Sequence, residues 1–332
     1  MDAESLWRTL FDRTLRGMEN NSAALSSSVF DAFLNCQVIN QAPLLVRAAF
    51  KRLINDIKLQ YKDNAYHSFF HATHVVLSAS LLCSSLTIPL SPVEHFAILY
   101  AALIHDIGHE GVFNSALVAE GHEAALRFND VSVAEMNSIR LGLALLEPQI
   151  SCLLTPSERR IFRSIVIDIV LHTDLADLYR SRVFKLRIKE NMRYQSSDRE
   201  DEKEEEGNLN TSSPSGRLLA LILILKLADV SSLLQSFGTV LDWAHRFYRE
   251  QVAAHSLGRG PLVLPETFDR NQISFFNNYC LDLVMLLRRS KLSPSLAISM
   301  EKNIASSVLQ WKERGEELTQ QWASEVVQTA SL

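Results

Sequence analysis

Two short clusters of histidine, one with an adjacent aspartate, give this 332-residue chain the residue types and spacing of a metal site. One contains His105, Asp106 and His109, and an upstream cluster contains His67 and His71. Adjacent His and Asp supply a nitrogen and an oxygen ligand on one turn, and the two oxygens of Asp106 allow it to bridge two ions. If both stretches are helical, the two residues of each pair lie on one helix face. The spacing therefore predicts two helices that form the walls of a binuclear metal site.

A further carboxylate lies in the sequence Lys226-Leu-Ala-Asp229. Asp229 is the only acid in the apolar stretch 218–230, and it must be paired, capped or metal-bound because an isolated buried charge is very costly. Two imidazoles and two carboxylates suit Zn²⁺, while a second, harder ion such as Mg²⁺ or Mn²⁺ would share a bridging aspartate and be held mostly by water. Two ions about 3.5–4 Å apart can share a hydroxide and clamp a phosphate. The predicted zinc ligands are His71, His105, Asp106 and Asp229.

Helical periodicity recurs along the chain, and alternating strand-like runs are rare. Start signals mark several helices, among them Ser91-Pro92 before Glu94 and the sequence Thr155-Pro156-Ser-Glu158. The pattern predicts an all-α fold, a compact single domain of many helices. The predicted helices are Phe30–Phe33, Leu44–Leu59, Val75–Leu86, Val93–His105, Val133–Leu146, Pro156–Thr173, Leu218–Val230, Phe237–Ala253, Asp269–Leu287 and Pro294–Thr329.

The predicted domain has N-terminal helices in residues 1–60 and a metal-binding core in residues 61–332. A polar, acidic segment at about 195–216 interrupts the core, and its run of charges at 198–206 is expected to form a solvated, mobile loop. No internal repeat is visible.

Composition narrows the class of protein. A formal net charge of −5 gives no basic footprint for a nucleic acid polymer. The four cysteines are scattered without a Cys-x-x-Cys pair, which predicts reduced thiols and a cytoplasmic location. No secretory signal pattern opens the chain, and apolar runs such as 96–104 are too short to span a membrane, which needs about 20 residues.

Several sequence blocks resemble the catalytic domain of class I cyclic nucleotide phosphodiesterases, within the HD metal-phosphohydrolase superfamily. The family signatures Tyr-His-Asn-x-x-His-Ala-x-Asp-Val and His-Asp-x-x-His-x-Gly-x-x-Asn are matched by YHSFFHATHV at 66–75 and HDIGHEGVFN at 105–114. Further matching blocks follow in family order, from Asn129-Asp130 to the segment 268–275. The resemblance covers about residues 60–290, and it implies the all-helical fold of that family and hydrolysis of cyclic AMP, cyclic GMP or both to nucleoside 5′-monophosphates.

The resemblance also implies roles for single residues. His67 resembles the general acid that protonates the leaving 3′ oxygen, which is needed because an alkoxide is a poor leaving group near neutral pH. A hydroxide bridging the two metals would attack the cyclic phosphate, with Asp106 shared between the ions. Gln272 would read the purine edge and Phe275 would stack on the base. The residues implied to hold metal-bound waters are His109, Glu135 and Thr173, and those implied to contact substrate are Tyr66, Gln272, Phe275 and Phe247.

The chain departs from the family pattern around the metal ligands. Ser68 replaces an Asn, His74 replaces an Asp, and Asn137-Ser138 replaces a His-His pair. His74 would exchange an acceptor for a cation beside the metals. Changes in residues that support metal ligands can cost about 10–100-fold in affinity or activity.

Three functions therefore stay open: an active but divergent phosphodiesterase, a pseudoenzyme that binds metal or cyclic nucleotide, and an HD hydrolase of another phosphate ester. The intact ligands favour the first. Because a glutamine amide can flip to suit either purine, the sequence leaves the choice of cyclic AMP or cyclic GMP open. It also leaves open a homodimer and the identity of any regulatory domain or partner.

Overall fold

The computed structural model describes residues 17–19, 21–193 and 208–330. All regular secondary structure within these ranges is helical, without a strand, which confirms the predicted all-α class. Two short irregular helices, Ser231–Leu234 and Phe276–Cys280, accompany the α-helices. In chain order the α-helices are α1 (Ser22–Leu34), α2 (Gln37–Asn40), α3 (Leu44–Lys58), α4 (Phe69–Ser84), α5 (Pro92–Ile104), α6 (Asn114–Ala119), α7 (Glu123–Arg127), α8 (Val133–Leu153), α9 (Pro156–Leu171), α10 (Leu178–Arg193), α11 (Pro214–Asp229), α12 (Phe237–Ser256), α13 (Pro265–Phe275), α14 (Leu281–Arg289) and α15 (Pro294–Ala330).

Helices α4, α5 and α11 form the centre of the fold. Every residue of α5 from Phe96 to Ile104 is buried, and so is every residue of α11 from Leu219 to Ala228. A helix that is apolar on all sides must be surrounded by protein, so these two pack against each other and against α4. The N-terminal end of α4 meets the C-terminal ends of α5 and α11, which brings residues near 71, 105 and 229 together.

The remaining helices enclose this centre. Helix α1 packs on α4, α3 packs on α8, and α9 packs on α5, while α15 covers α13 and α14. Side chains from α1 and α3, such as Phe33 and Phe50, are fully buried in the same core as Phe96 of α5. The helices of residues 21–58 therefore share one core with the rest of the described chain.

The predicted helix starts at Ser91 and Thr155 match the structure, since both residues form capping boxes with Glu94 and Glu158. Other boundaries differ. Helix α4 begins at Phe69, six residues before its predicted start, because polar residues including two histidines interrupt the apolar pattern there. The predicted helix at 269–287 is divided by the π-type segment at 276–280, and helices α2, α6, α7 and α10 were not predicted. The acidic run 198–206 lies outside the described residues.

Within the described ranges, the structure contains no helix with both the length and the hydropathy needed to cross a bilayer.

Candidate active site

Four predicted metal ligands converge where the three central helices end. His71 lies in the first turn of α4, His105 caps the C-terminus of α5 and Asp106 follows it, and Asp229 is the last residue of α11. The Nε2 atom of His71 lies 3.1 Å from Oδ1 of Asp229 and 3.6 Å from Oδ2 of Asp106. The Nε2 atom of His105 lies 3.1 Å from Oδ2 of Asp106 and 3.4 Å from Oδ1 of Asp229. The four ligand atoms therefore surround one point.

The hydrogen bonding of His105 fits a cation at that point. Its Nδ1 lies 2.9 Å from the carbonyl oxygen of Ala102 and can only donate to it, so in the neutral ring Nε2 carries the lone pair. This buried lone pair faces two carboxylates and has no hydrogen bond among the described residues. Three electron-rich groups in contact repel one another unless a positive charge lies between them. The donor set of two imidazoles and two carboxylates suits Zn²⁺.

The titration of these groups points the same way. Although burial opposes a charge, the carboxylates of Asp106 and Asp229 raise the pKa of His105 well above its ordinary value. Burial alone would raise the pKa of Asp106, but His105 and His67 hold it well below its usual range. Close contacts with His105 and His71 likewise lower the pKa of Asp229 against the effect of burial. The two ionised carboxylates therefore stabilise a positive charge placed between them.

The prediction that each histidine pair lies on one helix face is wrong. His67 precedes the N-cap of α4 at Ser68, and His109 follows a turn that leaves α5 after residue 104. Gly108 causes this turn: its φ of 76° is the left-handed conformation that glycine adopts readily, and a Cβ there would lie 2.8 Å from Leu141. As a result, the rings of His67 and His109 stack with centroids 3.9 Å apart at the cavity wall.

Glu250 on α12 binds His67 and was not predicted. One carboxylate oxygen accepts the backbone N–H groups of Tyr66 (2.7 Å) and His67 (2.9 Å), and the other contacts Nδ1 of His67. Burial opposes a charged ring, but Glu250 and Asp106 raise the pKa of His67 to about 9. The same contact lowers the pKa of Glu250 to about 2, although burial alone would raise it. No local spacing could reveal this pair, because the partners are 183 residues apart.

His109 is a neutral hydrogen-bond donor toward the cavity. Its Nδ1 accepts the backbone N–H of Gly111 at 3.0 Å, so the ring proton resides on Nε2. Burial and the adjacent His67 lower the pKa of His109 to about 4, which keeps the ring uncharged near neutral pH. Nitrogen and oxygen atoms of His67, Asp106 and His109 lie within 4.8 Å of one another. A ring with its Nε2 protonated can donate to a water or a phosphate oxygen there but cannot ligate a metal through that atom.

The predicted water-holding residues Glu135 and Thr173 line the same cavity as His109. Asn114 joins α6 to α8 by donating to Glu135 (2.9 Å) and accepting the backbone N–H of Ala134. Burial, with a contribution from Asp174, raises the pKa of Glu135 to about 7. The hydroxyl of Thr173 donates to the Val170 carbonyl at 2.8 Å, so its lone pairs remain available to accept a hydrogen bond.

The predicted substrate residues also line this cavity, whose volume is about 530 Å³. Gln272 and Phe275 lie on α13, where Phe275 stacks on Tyr279 with centroids 5.0 Å apart. Tyr66 contacts Phe247 edge to face at 5.4 Å. Trp243 also lines the cavity, but it is buried and stacks on Phe70 with centroids 5.3 Å apart. The structure thus brings every predicted site residue together around one cavity and the ligand cluster beside it.

The residues that differ from the family pattern change the groups around the predicted metal ligands. Burial lowers the pKa of His74 well below its ordinary value, so the cation expected at this position is absent near neutral pH. The Nε2 atom of His74 lies 3.0 Å from the Gln235 amide nitrogen. Ser138 is buried and donates to the Ile107 carbonyl at 3.0 Å, which fixes the turn after Asp106. The Nδ1 atom of His71 is buried without a hydrogen-bond partner among the described residues, although ligating histidines usually donate this proton.

Fold and site define a helical domain in which a His/Asp cluster able to hold a metal ion lies beside a deep cavity. The family profile described as 3'5'-cyclic nucleotide phosphodiesterase matches residues 66–301, and the chain belongs to this family. The resemblance drawn from the sequence motifs is confirmed.

Curated relatives carry matching names. The chain is 26% identical over 276 residues to the Mus musculus protein "High affinity cAMP-specific and IBMX-insensitive 3',5'-cyclic phosphodiesterase 8A", a match that covers 78% of this chain and 33% of the relative. It is 38% identical over 120 residues to Drosophila melanogaster "3',5'-cyclic-AMP phosphodiesterase, isoform F", which covers 35% of this chain and 18% of that one. The chain thus spans about a third or less of the length of these relatives.

A solved structure has the same fold. The phosphodiesterase domain of Salpingoeca rosetta rhodopsin phosphodiesterase superposes with a TM-score of 0.78 at 24% sequence identity, over 98% of both chains.

Proposed function

We propose that this chain hydrolyses 3′,5′-cyclic nucleotides to nucleoside 5′-monophosphates. The observation that carries the proposal is the convergence of His71, His105, Asp106 and Asp229 on one point beside a cavity that Gln272 and Phe275 also line. A phosphate bound at the cluster leaves the attached base within the cavity. The names of the mouse and fly relatives make cyclic AMP the first substrate to test.

The four converging groups would hold Zn²⁺, and Asp106 would also help to hold a harder ion such as Mg²⁺ or Mn²⁺. When bound, two such ions polarise a phosphate and lower the pKa of water enough to supply hydroxide near neutral pH. His109, Glu135 and Thr173 line the adjacent wall and would orient water there. His109 would act as a donor and the Thr173 hydroxyl as an acceptor, as their existing hydrogen bonds require.

His67 would deliver the proton to the departing 3′ oxygen. Its Nδ1 is engaged by Glu250, so the proton available to substrate is on Nε2. A pKa of about 9 keeps the ring protonated near neutral pH, as a general acid requires. Glu250 also anchors the backbone of Tyr66 and His67, which holds the acid in place while the ring loses and regains its proton.

The base would lie between aromatic side chains. Phe275, supported by Tyr279, offers one stacking face, and Phe247 beside Tyr66 offers the other. Gln272 is buried on the same helix as Phe275, and its amide can donate to and accept from a purine edge. Because both orientations of the amide can satisfy a purine, the residue supports cyclic AMP and cyclic GMP alike.

One observation favours a second candidate function, a pseudoenzyme that binds its ligands without turnover. The unpartnered Nδ1 of His71, together with the replaced acid at His74, weakens the support of one metal ligand. Cytoplasmic location, a homodimer and the domain limits 1–60 and 61–332 remain predictions from the sequence.

The deciding experiment supplies purified protein with Zn²⁺ and Mg²⁺ or Mn²⁺, then with cyclic AMP and cyclic GMP in separate reactions. Formation of the 5′-monophosphate that Asp229→Ala abolishes supports the phosphodiesterase. Metal uptake and nucleotide binding without product support the pseudoenzyme, and turnover of a noncyclic phosphate ester alone identifies another HD hydrolase. Arg288→Ala, which removes a surface ion pair on α14, is a matched control that should retain activity.

A further inference from the structure

Asn64, in the connection between α3 and α4, bridges the two loops that carry the stacked histidines. Its side-chain Nδ2 donates to the backbone carbonyl of His67 at 3.0 Å and to that of His109 at 2.9 Å. An amide NH₂ group has two hydrogens, so both bonds form together. One side chain thus ties the segment before α4 to the turn after α5, although the two lie far apart in the sequence.

The same short segment contacts the His109 turn at two further points. Asn64 packs on Gly111, where φ is +70° and an added Cβ would lie 3.0 Å from the Asn64 Oδ1 atom. Gly111 in turn donates its backbone N–H to His109, the bond that leaves the ring proton on Nε2. Lys62 forms an ion pair with Glu110. Residues 62–64 therefore fix both the position of the 109–111 turn and, through it, the tautomer of His109.

We propose that Asn64 is a positioning residue, whose two hydrogen bonds hold the His67 and His109 rings in register for the reaction. Its catalytic consequence rests on the proposed function. The centroids of the stacked rings are 3.9 Å apart. Asn64 bonds to the backbone carbonyl of each histidine, so it positions both rings through the backbone without touching substrate. Glu250 also holds His67, but within the described chain its hydrogen bonds do not reach the backbone of His109.

The test replaces Asn64 with Asp, which keeps the shape but exchanges the donating NH₂ for an oxygen that faces two carbonyls. Loss of a residue that supports a reacting group is expected to cost about 10–100-fold in kcat. KM should change less than about threefold because the base and metal sites are untouched. The kcat of Asn64→Ser, which retains one donor, should lie between that of Asn64→Asp and that of the wild type. The matched control is Asn55→Asp. The Asn55 amide donates to the Lys51 carbonyl at an exposed position of α3.

A second readout needs no turnover. In the proton–nitrogen NMR spectrum of ¹⁵N-histidine-labelled protein, His109 of the wild type should show a protonated Nε2 and a bare Nδ1. Asn64→Asp should mix the two tautomers, while Asn55→Asp should match the wild type. Absence of turnover in the wild type would refute the proposed function, and the NMR comparison would still test Asn64.

Unchanged kcat together with an unchanged His109 tautomer would overturn the proposal. So would a loss of kcat matched by equal losses of zinc content and melting temperature in both Asn64 variants, since that pattern means a general loss of fold.

Discussion

Replacing Glu250 by Gln should move the proton affinity of the proposed acid. Against the effect of burial, Glu250 with Asp106 and Asp229 raises the pKa of His67 from 6.5 to about 9, and His67 with two backbone N–H groups lowers that of Glu250 from 4.5 to about 2. Each partner thus changes by a similar amount. This corresponds to about 3 kcal/mol, because a tenfold change in an ionisation constant is worth about 1.4 kcal/mol. Glutamine keeps the shape and one acceptor for the backbone but removes the negative charge.

The expected loss of activity follows from the protonated fraction of His67. With a pKa of about 9 the ring is almost fully protonated at pH 7, whereas a ring returned to the ordinary value of 6.5 by the loss of Glu250 is only about a quarter protonated. Protonation alone then lowers kcat/KM about fourfold at pH 7 and about thirtyfold at pH 8. Bound metal ions would reduce the field of Asp106 in both proteins alike, so the difference between them reports Glu250.

The assay is kcat/KM for cyclic AMP between pH 5.5 and 9.5, with Glu266→Gln on the exposed start of α13 as the control. The alkaline limb should move toward lower pH in Glu250→Gln and stay in place in the control. An alkaline limb at the same pH in all three proteins would refute the assignment of Glu250 as the group that sets the acidity of His67.

Three further outcomes are expected. Phe275→Ala should raise KM about 5–100-fold with a smaller change in kcat, because stacking on a base is worth about 1–3 kcal/mol; equal KM values would remove Phe275 from the base site. His74→Asp should raise zinc affinity about tenfold in a chelator competition, because a carboxylate there adds a negative charge close to His71; weaker binding would contradict this. The melting temperature of metal-free protein should be highest between about pH 4.5 and 6.5. The stabilisation that ionised Glu250 contributes is lost as the pH falls through about 2, and that of protonated His67 is lost as the pH rises through about 9. Glu250→Gln should therefore flatten the dependence of melting temperature on pH.

The linear sequence determined the helical class and most of the ligand chemistry. Periodicity identified the buried helices α5 and α11, because a helix that is apolar on all sides has no stable place except the core. The isolated acid Asp229 at the end of such a helix was identified as a candidate ligand for the same reason. Short motifs carried the family resemblance, because their residue types and spacing are local properties.

Tertiary structure decided how those residues meet. Helical spacing predicted that His109 lies on the same helix face as His105. In the structure, the left-handed turn at Gly108 places the His109 ring against the ring of His67. Glu250 and Asn64 gave no signal in the sequence, since each acts on a histidine through contacts that exist only after α12 and the α3–α4 connection pack against the site. The charge state of His74 also depended on burial, which a list of residue types does not contain. Which groups can bind a metal was therefore readable from the sequence, whereas which histidine holds a proton, and on which nitrogen, depended on the packed structure.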